Sequence, residues 1–344
     1  MDKLSKHIIR NAKMILNSKV VDNEDEKQKE WNELNNFFNH ISLDDLRNKI
    51  RKYDDIKKSI SKNDVKAFFD DILMIDLPEG FSFTSFKLQT FSFMEHGKFF
   101  RVRSLTEELS DQIKNGKIDI GELWEPPKDY ANLGRVNAEG QQYLYVSEAD
   151  LDICVAEARI REEEYFILIN YEIIEPITVT GIGFDHDDLI PNPETKEKME
   201  LISNVVKKIF LNTEENSYIY SNYIANNLCN FDMAGWSYPS VQSKKGMNIC
   251  LKLTEKKKLK INTVLVCQYL SKLKKQYKFF HTFEFIDGNQ KCYCDWESGD
   301  NSESKRILYQ ETFLNTALEK NNNRTTDEDR KKITFIDKLI YSDE

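Results

Sequence analysis

Two charged side chains bracket the aromatic run Tyr143-Leu-Tyr-Val146. Arg135 lies in the glycine-bounded stretch Gly134-Arg-Val-Asn-Ala-Glu-Gly140, and Glu157 follows the apolar run Ile153-Cys-Val-Ala156. A guanidinium is a planar, permanently charged fork that matches phosphate oxygens, which a lysine ammonium does not. A carboxylate beside apolar side chains suits a group of developing positive charge. Such a pair would flank a pocket for a phosphorylated, positively polarised ligand. Arg101 and Arg103, in Lys98-Phe-Phe-Arg-Val-Arg103, offer further guanidiniums; their two-residue spacing puts both on one face of a strand and does not separate them. The bland alternative is surface arginines and a helix-surface glutamate.

Other chemistries lack their residues. No GxGxxG or GxxxxGK[ST] phosphate cradle occurs, no HExxH, and no GxSxG elbow. The five histidines form no relay, and His186 in Asp185-His-Asp-Asp188 reads as a solvated acidic turn. Cys292-Tyr-Cys294 is half a metal site without a second Cys/His pair, so no metal is expected. Chemistry, if present, falls to Arg, Glu, Tyr and Ser.

The elements that must position these residues change character along the chain. Residues 1–78 read as a helical accessory region: Trp31, Leu34, Phe37, Phe38 and Ile41 recur at helical spacing, and Ser42 and Ser61 are start signals. Residues 79–252 mix strands (98–103, 143–146, 165–174, 177–184, 247–252) with helices (149–161, 195–211, 218–229). Residues 253–344 form a C-terminal extension, with a strand at 261–270, a β-hairpin around Asp287-Gly-Asn289 and a helix near 307–319. Without regular βαβ alternation, the fold class is α+β.

Composition bounds the partners. At 344 residues, 40% hydrophobic and 12% aromatic, the chain can bury a sizeable core, which excludes global disorder. A net charge of -9 argues against nucleic acid, which needs an excess of Lys and Arg. No apolar run reaches membrane length, and the N-terminus lacks a signal-peptide pattern. The six scattered cysteines suit reduced thiols, so a cytoplasmic location is expected.

Three blocks in order resemble the RES domain: Phe99-Phe-Arg-Val-Arg103; Gly134-Arg-Val-Asn-Ala-Glu-Gly140 through Tyr145 and Ala156-Glu157; and Gly235-Trp-Ser-Tyr-Pro-Ser240 running on to Gly246-Met-Asn248. The resemblance covers roughly residues 95–252 and lacks the Thr-Gln pair the family often has before its third block. It implies an ADP-ribosyltransferase-like mixed-sheet core and a toxin of a bacterial toxin–antitoxin pair that cleaves NAD, as substrate and not cofactor, with water or phosphate. It further implies catalytic roles for Glu157, Arg101, Tyr145 and Ser240, and substrate binding by Arg135, Arg103 and Asn137. Glu157 would stabilise the oxocarbenium-like ribose, an arginine would grip the pyrophosphate, and Ser240 would bind rather than attack. A neutralising antitoxin or regulatory protein is the implied partner, and a homo-oligomer is compatible with it. A protein-modifying ADP-ribosyltransferase and a non-catalytic nucleotide-binding scaffold stay open as alternatives.

Overall fold

The structure is a computed structural model. It describes Asn32, Asn35, Asn36 and residues 38–293, except 57–63, 77–81, 85–88, 149–150, 185–191, 215–216, 230–231, 243–245, 272–275 and 287–288. The expected acidic turn at His186, the helix near 307–319 and the tip of the hairpin fall outside the described residues, as do Trp31, Leu34 and Phe37.

In chain order the elements begin with α1 (Leu43–Ile56), α2 (Asp64–Leu73), β1 (Met74–Asp76), β2 (Ser82–Thr84), β3 (Gln89–Phe93) and β4 (Lys98–Ser104). Next come α3 (Glu107–Lys114), 3-10 turns at Ile120–Leu123 and Lys128–Tyr130, β5 (Tyr143–Glu148), α4 (Leu151–Glu157), β6 (Tyr165–Ile173) and β7 (Ile177–Gly181). The rest is α5 (Pro193–Leu211), α6 (Tyr218–Tyr223), a π turn (Ile224–Leu228), β8 (Gly235–Pro239), β9 (Met247–Lys252), β10 (Leu259–Ser271), β11 (Gln276–Ile286) and β12 (Asn289–Tyr293). The fold is α+β, as expected. No described helix is long and apolar enough to cross a membrane. Cys154, Cys229, Cys250 and Cys267 are free and buried. Cys292 is disulfide-bonded, which corrects the expectation of reduced thiols in the C-terminal hairpin.

The chain forms two compact units, each drawing on more than one of the three sequence regions: residues 1–92, 126–144 and 178–255, and residues 93–125, 145–177 and 256–344. The first unit gathers the larger helices. Asn192 starts α5 by accepting from the amides of Glu194 (2.9 Å) and Thr195 (3.2 Å), with Pro193 in the first turn, where no amide is needed. The helix then buries Met199, Ile202, Val206, Ile209 and Phe210. Phe69 of α2 stacks on Tyr223 of α6, centroids 5.8 Å apart. Strands β7 and β8 pair in parallel and β8 and β9 antiparallel. Gly235 lies so close to β9 that a Cβ would run into the Cys250 carbonyl oxygen, so this position tolerates no side chain.

The second unit is built on an antiparallel sheet in the order β12-β11-β10-β6-β4-β5. Residues directly opposed across such a ladder project to the same side. Arg101 faces Ile169 and Arg103 faces Ile167, so these four share one side with Tyr171, opposite Phe99. Phe100 faces Asn170 on β6 and Ser147 on β5, and Val102 faces Leu168, so these share the other side. Tyr145, two residues before Ser147, joins that second side by strand alternation. There α4 packs Cys154 and Val155 against Phe100, Val102, Phe166, Leu168, Leu265 and Cys267. The Cys154 thiol donates to the Phe100 carbonyl at 3.7 Å, and the Tyr277 hydroxyl donates to the Asp152 carboxylate at 2.6 Å, which ties α4 to β4 and β11.

Candidate functional site

On the arginine-bearing side of the second unit's sheet, three side chains hold three consecutive carbonyls. Arg103 donates to the Glu122 carbonyl, the Tyr171 hydroxyl to that of Leu123, and Arg101 to that of Trp124. Arg103 also pairs with the Glu122 carboxylate at 3.1 Å. Asp119 begins the 3-10 turn that presents these carbonyls, accepting from the Gly121 amide at 2.8 Å. Beyond the turn, the Trp124 ring lies 5.2 Å from the Tyr171 ring, with the Lys256 ammonium 4.7 Å over its face. Lys256 also pairs with the Glu125 carboxylate at 3.0 Å. Burial lowers the Arg101 pKa from its usual value and raises that of Tyr171, which keeps the Tyr171 hydroxyl a donor.

The opposite side of the same sheet carries Tyr145 and, through α4, Glu157. Both are half-buried. Glu157 is the last residue of α4, which has no basic residue in its final turn. A carboxylate there meets the negative end of the helix dipole and is locally unfavourable. The same side holds Asn170, 3% exposed in an otherwise apolar strand interior, whose Oδ1 has no hydrogen-bond partner among the described residues. The structure thus brings Tyr145 and Glu157 to one side of the sheet and puts Arg101 and Arg103 on the other.

In the first unit the glycine-bounded turn is built by its own polar residues. Asn137 Nδ2 donates to the carbonyls of Asn132 (2.6 Å) and Ala138 (3.2 Å). Gly140, at φ +74° where only glycine is unstrained, sends its amide to Ala131 at 2.7 Å. Arg135 Nη1 donates to the carbonyls of Phe210 (2.7 Å) and Asn212 (2.6 Å), and its guanidinium lies 5.0 Å from the Tyr218 ring centroid. It therefore satisfies carbonyls that the end of α5 leaves without helical partners. Among the described residues, no protein acceptor meets its Nη2 or Nε. Ser240 is buried, with its Oγ accepting from the Gln242 amide at 3.1 Å and its amide donating to Gly246 at 2.8 Å, the geometry of a turn.

No protein-family model matches the sequence, and no curated protein matches it. Among the described residues, no cluster of three His, Cys, Asp or Glu side chains is placed to hold a metal ion. The sequence reading did not single out Tyr171, Trp124 or Asn170. For Asn170 a signal existed: it is the one amide in the apolar run Phe166-Ile-Leu-Ile-Asn-Tyr171. The other two become visible only through long-range contacts with the 3-10 turn.

Proposed function

We propose that the chain cleaves the bond between nicotinamide and ribose in NAD, with water or phosphate as acceptor, and that it acts as a growth-arresting toxin or defence effector. The observation that carries this reading is the half-buried Glu157 carboxylate ending α4, on the same side of the sheet as Tyr145. In this reaction a neutral nicotinamide leaves a cationic precursor, so the group most in need of support is the electron-poor ribose carbon. A fixed carboxylate supplies that charge, and a neighbouring aromatic hydroxyl supplies both a ring face and a polar contact. A carboxylate held against the helix dipole departs from local preference, and such departures concentrate at working sites.

In this reading Arg101 and Arg103 are positioning residues that hold the 122–124 backbone. Arg135 keeps Nη2 and Nε available for an anion. The resemblance to the RES domain in the Arg101, Gly134–Gly140, Glu157 and Ser240 blocks supports the same substrate.

The test is incubation of the purified full chain with NAD, with and without phosphate, and chromatography of the products. ADP-ribose with free nicotinamide is expected from hydrolysis, and a phosphorylated ADP-ribose from phosphorolysis. Intact NAD after prolonged incubation with folded protein, under both conditions, would remove the proposal.

A further inference from the structure

Asn170 occupies a position where an apolar residue would be expected. Its neighbours on the same side of β6 are Phe166 and Leu168, both in the apolar cluster under α4. A polar row nevertheless crosses the sheet at its level: Ser147 on β5, then Phe100 on β4, Asn170 on β6 and Thr263 on β10, all in register. Ser147 is 4% exposed, Asn170 3% and Thr263 7%, so three polar side chains share a buried level of one sheet face. Among the described residues the Asn170 Oδ1 finds no partner. A buried acceptor left without a donor carries its full desolvation cost, about 1–3 kcal/mol. A donor carried by a bound molecule would satisfy it.

The backbone beside it is also irregular. Ile261 pairs with Tyr171 and Thr263 with Asn170, so Asn262 is an extra residue, a bulge at the level of the amide. Bulges re-aim side chains and gather near working sites. Cys154 of α4 bonds to the carbonyl of Phe100, the residue between Ser147 and Asn170, so the helix that ends in Glu157 crosses the same row. One step along β6 on the same side lies Glu172, with a side chain 27% exposed, so the row lies next to the solvent-facing end of the strand.

We infer that Asn170 recognises a primary carboxamide, the group carried by nicotinamide. An asparagine amide offers one acceptor and two donors, and a carboxamide is its complement: ligand N–H to Oδ1, Nδ2–H to ligand C=O. A carboxylate in the same place has no hydrogen to give. This inference rests on the nicotinamide-nucleotide reading and concerns selection, not bond cleavage.

The test uses carba-NAD, in which the nicotinamide bond cannot be cleaved, and its nicotinic acid counterpart, titrated by calorimetry into the full chain. The intact protein is expected to favour the carboxamide by about tenfold or more, since a site built to pair a polar group rejects the analogue lacking it. Asn170→Leu, which fills the position with an apolar side chain like its neighbours, and the smaller polar Asn170→Ser should each bring that ratio to within about twofold of unity. Thermal melting checks that the variants fold. A preference unchanged in either folded variant, or no preference and no binding by the intact protein, overturns the inference. Asn170-dependent preference without nicotinamide release from NAD would sink the cleavage reading alone. Cleavage of NAD with undiminished preference in Asn170→Leu would sink this inference alone.

Discussion

Replacing Arg135 by Met separates two roles that its position allows. The guanidinium donates to the Phe210 and Asn212 carbonyls at 2.7 and 2.6 Å and lies 5.0 Å from the Tyr218 ring. Met retains most of the aliphatic stem and removes the charge and both hydrogen bonds. A hydrogen bond from a charged donor contributes about 1.5–3 kcal/mol. Both bonds here share one nitrogen in a half-buried side chain, so their sum is counted as little more than one such bond. Contact with the Tyr218 ring adds about 0.5–1 kcal/mol, and a cation at the end of the 19-residue α5 adds a similar amount. We expect a loss of about 2.5–5 kcal/mol, which at about 2 °C per kcal/mol lowers the melting temperature by roughly 5–10 °C for a chain of this size. Urea unfolding followed by tryptophan fluorescence reads the loss, and Arg135→Lys, which keeps a cation near the helix end, should recover part of it. If Arg135→Met unfolds within about 0.5 kcal/mol of the unaltered chain, the capping argument is wrong. Loss of NAD binding in that stable variant would assign the guanidinium to the ligand instead.

Glu157→Gln keeps the shape and removes the charge; it should lower kcat for NAD cleavage by about 10²- to 10³-fold with little change in affinity, and near-normal turnover would make Glu157 a surface residue. Tyr171→Phe leaves the Leu123 carbonyl without its donor and should cost about 1–2 kcal/mol in denaturant unfolding; an unchanged midpoint would show that the 122–124 backbone does not need the clamp. Burial raises the Tyr143 pKa from 10.0 to about 12. The neutral form is therefore favoured in the folded chain, and this contribution is fully present below pH 10.0 and lost as pH rises towards about 12. Tyr143→Phe should flatten the decline in stability over that range, and identical declines for the two proteins would show that Tyr143 ionises as freely folded as unfolded.

The elements that sequence periodicity reveals are those whose own residues decide the outcome. The apolar run of β6 and the Asn192-Pro193 start of α5 are local signals, and both elements lie within two residues of the expected limits. Helix α3 was missed because only Leu109 and Ile113 of its acid-rich sequence are buried, although Thr106 caps it by accepting from the Leu109 amide. Strand β8 was missed because a five-residue strand that begins with Gly and ends with Pro carries turn residues at both ends. Neither its glycine nor its pairing makes sense until β9 lies against it.

The residue types of the candidate site can be read from the sequence and their partners cannot, because a guanidinium recognises a phosphate oxygen and a peptide carbonyl by the same geometry. The spacing of Arg101 and Arg103 correctly put them on one side of a strand. What lies on that side depends on a turn some twenty residues later, whose carbonyls at Glu122 and Trp124 take both groups. Tyr145 has the opposite dependence: its side follows only from the pairing of Ser147 with Phe100, a register that no local pattern fixes. Sequence spacing can therefore group residues within one strand, while assigning two strands' residues to a common site requires the ladder between them. By that criterion Tyr145, Glu157 and Asn170 share one side of the second unit's sheet, the side that the proposed reading gives to a nicotinamide nucleotide. Its arginines serve the backbone that closes the other side of the same sheet.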